Sequence, residues 1–297
     1  MTNINKKIFS MIVNNYSNDM ICESLHITKT ELKNRIQSIK NEGFNITKLY
    51  NYDGTQQYNF DKKCLESERI VSIEGELPGK GFRAIAIADT HIGNPKHNIG
   101  YINQIYDYSI KKDINIIFHA GDLLEGFIPN SMEPRDQLEF FIDKYPVDKN
   151  ILTFLVFGNH EEHFLTKYGI NLQTVITKYR DDIIPLGYGE CPVKLSNIKD
   201  HIIMCHNHRE FESNGIRLCG HSHRYRFFAD DYNPQITIPT LSDYLHTCDF
   251  PGAVELYIEP CNEKVRYMMI RHIVISESGK IRTASQIEHK SGKIRMR

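Results

Sequence analysis

Five short polar clusters carry most of the chemistry in this chain of 297 residues: Asp89-Thr90-His91, Gly121-Asp122, Gly158-Asn159-His160, His206 and Gly220-His221-Ser222-His223. Together they offer two carboxylates, one amide and five imidazoles. Such a donor set suits a pair of hard-to-borderline divalent cations sharing one bridging carboxylate. All the donors are nitrogen or oxygen. The seven cysteines, at 22, 64, 191, 205, 219, 248 and 261, include no Cys-x-x-Cys pair and read as reduced thiols that pack as small hydrophobes.

The elements that must position these clusters are legible around them. Phe82 to Ala88, Ile114 to His119 and Ile151 to Phe157 are apolar, β-rich runs, and each leads into one of the first three clusters. Helical stripes at Ile99, Ile102 and Tyr106, and at Leu138, Phe141, Ile142 and Tyr145, fall between them. That spacing predicts successive βαβ units with parallel strands, and sites in such sheets form at the strands' carboxyl ends. After a helix near 170–180 the chain turns β-rich from Pro192 to Ile275, and the alternation predicts a second, mostly antiparallel sheet.

Ahead of this region, residues 4–44 read as three short helices, with Thr28-Lys29-Thr30-Glu31 as a capping box opening the third. A hairpin follows, Ile46 to Tyr52 and Thr55 to Phe60 around Asp53-Gly54. The run from Ile21 to Leu32 resembles a helix-turn-helix, departing from it in having His26 where a turn glycine is usual. Helices plus ribbon resemble a winged helix, which implies nucleic-acid contact through Lys29, Lys33, Arg35 and Lys40 on the third helix. Protein docking or dimerisation is the alternative use of such a module.

The order and types of the five clusters resemble the calcineurin-like metallophosphoesterase superfamily, whose pattern is D-x-H, G-D, G-N-H, H, G-H-x-H. The resemblance implies that Asp89, His91, Asp122 and His223 hold one metal. Asp122, Asn159, His206 and His221 would hold the other, and His160 would stabilise or protonate the leaving oxygen of a phosphoester. It implies two divalent ions, Mn²⁺ foremost, with Fe, Zn, Ni or Mg as alternatives. At the fourth position the chain has His206-Asn207-His208-Arg209 where the family has a His-Gly step. His208 is therefore the alternative ligand, and Arg209 a candidate contact for substrate phosphate. His119 reads as core or support, with Glu161 and His163 as further supporting candidates. The segment after Asp122 lacks the arginine of the serine/threonine protein phosphatases and resembles the loop of the SbcD-like nuclease branch.

The expectation is an α/β protein: a two-sheet β-sandwich flanked by helices (residues 81–278), preceded by a small winged helix-turn-helix (1–62) and a junction (63–80). A basic tail, 279–297, closes the chain. Net charge is −1, yet residues 1–48 carry seven Lys/Arg against four acids and residues 280–297 six against one. Basic ends fit either polyanion contact, DNA foremost, or solvated surface. No long uncharged apolar run or signal-like start occurs, so the expected location is cytoplasmic. The expected activity is phosphodiester hydrolysis in nucleic acid. The alternatives are a small cyclic or modified nucleotide as substrate, or a DNA-binding regulator with a silent second domain. Oligomeric state is left open, with a dimer as one candidate.

Overall fold

The computed structural model describes residues 2–41, 44, 46–60, 71–75, 81–207, 215–229, 234–243, 250–276, 279–290 and 293–296. The N-terminal part comprises α1 (Asn3–Val13), α2 (Asn18–Leu25), α3 (Lys29–Asn41), β1 (Ile46–Asn51), β2 (Gln56–Phe60) and β3 (Val71–Glu74). Strands and helices then alternate: β4 (Phe82–Ile87), α4 (Ile99–Lys111), β5 (Ile116–His119), α5 (Pro134–Lys144), β6 (Leu152–Phe157), α6 (Asn159–Tyr168), α7 (Leu172–Tyr179) and β7 (Ile183–Tyr188). The remainder is β8 (Cys191–Leu195), β9 (His201–Cys205), β10 (Gly215–Cys219), β11 (Arg226–Ala229), β12 (Pro234–Thr237), β13 (Gly252–Cys261), β14 (Lys264–Ile275), β15 (Ile281–Lys290) and β16 (Lys293–Met296).

Two eight-stranded sheets result, in the orders β16-β15-β14-β13-β4-β5-β6-β7 and β11-β12-β10-β9-β8-β3-β1-β2. Period-two alternation explains how the first is buried on both sides. Along β4, Phe82, Ala84 and Ala86 enter the core between the sheets, with Phe118, Phe154, Val193, Met204 and Leu218. Ile85 and Ile87 face the other way, onto Ile102, Ile105, Phe141, Phe164 and Ile176 of the helices. The result is the two-sheet sandwich flanked by helices that the patterning predicts.

Several details differ from expectation. The second sheet is not mostly antiparallel: β9–β10, β10–β12, β3–β8 and β1–β3 pair in parallel. β13 and β14 belong to the first sheet, where β13 lies antiparallel to β4. Alternation reports which residues are buried but not which neighbour a strand chooses. Part of the expected junction forms β3, and much of the expected basic tail forms the β15–β16 hairpin, with β15 paired to β14. Cys205 and Cys219 are register partners with Cα atoms 4.9 Å apart, which sets the two sulfur atoms side by side between the parallel strands. No helix among the described residues is long and apolar enough to cross a membrane.

The N-terminal helices have a core of their own, built on Ile8, Ile12, Ile21, Leu32, Ile36 and Ile39. His26, at the turn between α2 and α3, adopts the left-handed conformation (φ 53°) that a glycine would accept more cheaply. Their ribbon is not a free wing. β1 pairs with β3 and so forms the end of the second sheet with β2. At the hairpin tip, a Cβ on Gly54 would overlap the Asn150 carbonyl, so only glycine permits this approach at φ +79°. Lys33 Nζ donates to the Thr177 carbonyl at 2.9 Å, and Gln56 Nε2 to that of Asp181 at 2.7 Å, tying the helical unit to the sandwich.

Candidate metal centre

Parallel pairing builds the site. β4, β5 and β6 run side by side, and the first three clusters leave them at one edge. β9 and β10 are also parallel, with Cys205 opposite Cys219, so His206 and Gly220-His221 emerge together. The turns are tight: Asp89, His91, Asp122, His221 and His223 all have positive φ, between 46° and 69°. Non-glycine residues held there cost about 1–3 kcal/mol each and persist where the surroundings fix them. A Cβ at Gly158 would overlap the Asp122 carboxylate, which fixes glycine before Asn159.

Two groups of donors meet at Asp122. Asp89, His91 and His223 form one: His223 Nε2 lies 3.3 Å from Asp89 Oδ1 and 3.1 Å from His91 Nε2. Asp122, His206 and His221 form the other, where His206 Nε2 is 3.0 Å from Asp122 Oδ2 and 3.1 Å from Asn159 Oδ1. His221 Nδ1 is also 3.1 Å from Asn159 Oδ1. His91 Nε2 and His160 Nε2 stand 4.0 and 3.8 Å from Asp122 Oδ2, so that carboxylate faces both groups.

The remote ring nitrogens show what belongs between these atoms. His206 Nδ1 donates to the Ala120 carbonyl at 2.7 Å, and His160 Nδ1 to that of Glu125 at 2.6 Å. His91 Nδ1 lies 2.8 Å from the Glu125 carboxylate, buried with it. With those protons fixed, each Nε2 presents a lone pair to the centre, where it meets further acceptors. Only a proton or a metal ion reconciles such a convergence, so the donor set fits divalent cations. Without one, a proton takes the place at His206: burial acts downwards, but the hydrogen bond and charge of Asp122 outweigh it and lift the imidazole to about 9. Asp122 shows the counterpart. Burial alone would raise its pKa, yet the bond to His206 and the surrounding imidazoles hold it well below the carboxylate range.

Supporting groups lock the loops. Glu161 is fully buried and accepts three backbone N–H groups, from Asp122 (3.0 Å), Leu124 (2.8 Å) and Gly158 (2.7 Å). Burial and the Asp122 charge push its carboxyl up to about 7. It sits at the third position of α6, as a capping-box glutamate does. The His160 N–H at the start of that helix donates to Asp122 Oδ1 at 3.1 Å, so the shared carboxylate rests on a helix N-terminus. His119 is buried against Thr90 Oγ1 at 3.2 Å, and burial depresses it to about 3, so it stays neutral beneath the site. His163 accepts the Phe127 N–H at 3.4 Å.

The structure thus brings together Asp89, His91, Asp122, Asn159, His160, His206, His221 and His223. His208 and Arg209 lie outside the described residues. Lys29, Lys33 and Arg35 form ion pairs with Asp19, Asp181 and Glu31, and Lys40 is exposed. Sequence reasoning gave no role to Glu125, which also accepts from Asn94 Nδ2 at 2.8 Å. Its signal was a carboxylate inside an otherwise apolar turn directly after Gly-Asp.

Comparison with known proteins bears on the family of the chain. Residues 82–265 match the sequence model described as calcineurin-like phosphoesterase. None of the curated proteins matches the chain. Similar solved structures include a predicted phosphoesterase of Streptococcus pneumoniae TIGR4 (15% identity, 72% of this chain and 96% of that one, TM-score 0.38). The E. coli phosphoesterase Yfce (13%, 67% and 96%, 0.41) and a Pseudomonas putida nuclease MPE (16%, 67% and 86%, 0.39) are others.

Proposed function

The chain belongs to the calcineurin-like phosphoesterase family and is a metal-dependent hydrolase; from that premise we propose that it cleaves phosphodiester bonds in nucleic acid, DNA foremost. When bound, the divalent pair supplies Lewis acidity toward the phosphoryl oxygens and acidifies the attacking water. Asp122, which faces both donor groups, and Asn159, as a neutral oxygen donor, would be among the residues that hold it. His160 acts on the leaving group. Its Nδ1 proton is held by the Glu125 carbonyl, so Nε2 faces the centre and, when protonated, donates to the departing oxygen.

The observation that carries the nucleic-acid reading is the rim beside this histidine. Gly126 lies against the His160 backbone, and the next residue, Phe127, is half exposed. Its ring lies 6.1 Å from that of Tyr168, with Lys167 Nζ 4.7 Å above it; Ile128, Met132 and Leu165 are also exposed. Aromatic faces interleaved with a cation serve bases and backbone together, independently of sequence. The basic N-terminal helices add a second contact in this reading. Lys29 is the cation to contribute, because its pair with Asp19 is exposed and weak; Arg35 is half-buried and held by Glu31 and Asn5, and Lys33 is turned onto the sandwich.

A small nucleotide is the second reading. It is favoured by a cavity of about 320 Å³ beside Asn159 and His206, walled by Phe157, Tyr188 and Glu190. The full-length protein loaded with Mn²⁺ should be assayed on single- and double-stranded DNA, RNA, cyclic nucleotides and a chromogenic diester. Polymer cleavage is expected, with Phe127→Ala/Tyr168→Ala raising KM on polymer by about tenfold and sparing the chromogenic diester. Turnover of cyclic nucleotides with inert polymers overturns the nucleic-acid reading.

A further inference from the structure

A second cleft, of about 610 Å³, separates α3 and the β1–β2 ribbon from α7 and the start of β7. It opens beside Ile183, Ile184 and Pro185, which β6 pairs with from Thr153 onward, whereas the metal centre follows Phe157 at the far end of that strand. The two sites are therefore separated by about a strand's length, roughly 17 Å.

The cations lining this cleft are unevenly matched. Arg180 is held by Asp182 at 2.6 Å and by the carbonyls of Tyr145 and Pro146. Lys33 takes Asp181, the acid on the wall. Lys40 and Lys48 have no acidic partner among the described residues. Lys48 is half-buried, and its near contact is the Tyr50 ring at 5.4 Å. Burial and the like charges of Lys33 and Lys29 push it down to about 8, although Asp181 acts the other way. Lys40 is exposed at the cleft's edge, and the partial desolvation there lowers it as well.

A half-buried ammonium without a counter-ion is unfavourable, and an apolar side chain of similar length would fill the position at lower cost. Lysine there is explained by an anion that arrives from solution. Ammonium groups lining one cleft, as Lys40 and Lys48 do, act as point charges and suit phosphate oxygens, whereas planar carboxylates are better matched by the arginine fork.

We propose that this cleft is a binding site for a small phosphorylated anion, held by Lys40 and Lys48 with Lys33 and Gln37 at its wall. Because its two walls come from the helical unit and from the sandwich, an occupant holds the two together. The site is independent of the reading of the metal centre.

Calorimetric titration of the full-length protein with inorganic pyrophosphate tests it, with 5′-AMP in a parallel arm to separate a free anion from a nucleotide phosphate. Tightest binding of either probe supports the site and names its source. Lys48→Gln and Lys40→Gln are each expected to weaken binding by about tenfold or more, and Asp122→Asn to leave it unchanged. Lys40 is exposed, so its substitution tests the site even if the Lys48 variant folds poorly. Loss of binding in Asp122→Asn, unchanged binding in both lysine variants, or no heat with either probe at millimolar concentration overturns the proposal.

Discussion

Replacing Glu161 should damage the fold and the centre together, and the structure sets the size of the effect. Its Oε2 accepts from the Asp122 and Gly158 N–H groups, and its Oε1 from Leu124, all inside the protein. In Glu161→Ala three buried N–H groups lose their acceptor. At about 1–3 kcal/mol each the ceiling is roughly 3–9 kcal/mol. Water entering the vacated space recovers part of this, leaving about 3–5 kcal/mol. At about 2–4 °C per kcal/mol for a chain of this size, Tm should fall by about 6–20 °C.

Glu161→Gln separates the causes. Its carbonyl oxygen can serve the two N–H groups at the Oε2 position, leaving the amide NH₂ opposed to Leu124 N–H. The expected loss is about 1–3 kcal/mol, or about 2–12 °C. Both variants are expected to bind metal more weakly, because Asp122 and Asn159 stand on the loops that Glu161 ties. Thermal denaturation with metal titration measures both effects. If Glu161→Ala melts with the wild type and still binds two ions, the clamp does not act as described.

Four further outcomes follow from the centre. His160→Ala should keep both metals yet lower kcat by about 10²–10⁴ on esters with poor leaving groups, and by less on a nitrophenyl ester; equal losses contradict its role toward the leaving oxygen. Glu125→Gln removes the carboxylate behind His91 and should weaken metal binding by about 10–100-fold in isothermal titration, against no change if that contact is incidental. Since the His206 proton must leave before a cation takes Nε2, apparent metal affinity should rise by about tenfold per pH unit and flatten near 9; a flat profile between about pH 6 and 8 contradicts this. His206→Ala should lower metal occupancy in elemental analysis while His208→Ala leaves it nearly intact, and the reverse pattern moves the ligand to His208.

Much of this centre was legible because its donors are local to strand ends. Asp89, Asp122 and Asn159 each follow an apolar run that can hardly be anything but a buried strand, and βαβ spacing makes those runs parallel. What eluded the sequence was non-local. Nothing in the alternation from His201 to Cys219 distinguishes parallel from antiparallel pairing, yet only the parallel arrangement brings His206 and His221 out at the same edge. The helix α6 was likewise missed, although Glu161 three residues after Gly158 marks its first turn. The attachment of the hairpin to the second sheet was invisible for a similar reason: β1 is built from a local hairpin signal, but its pairing with β3 depends on a strand more than twenty residues away.

The same non-local pairing changes what the N-terminal unit can be. A free wing would leave α3 exposed along its length, with all four of its cations available. Because β1 joins the sheet and Gly54 seats the hairpin on Asn150, one face of α3 is turned toward α7, and Lys33 is spent on Asp181 and Thr177. Lys29 stands beside Lys33, Lys48 and Asp181 in a groove next to the hairpin, Lys40 and Gln37 line the basic cleft, and Arg35 lies against Glu31 and Asn5 on the other side of the helix. On the functions proposed above, Lys29, whose pair with Asp19 is exposed, would serve a polymer, and Lys40 a small anion. If both proposals hold, the chain would register two phosphorylated ligands at once, one along its surface and one between its parts, each apart from the candidate metal centre at the far end of the parallel strands.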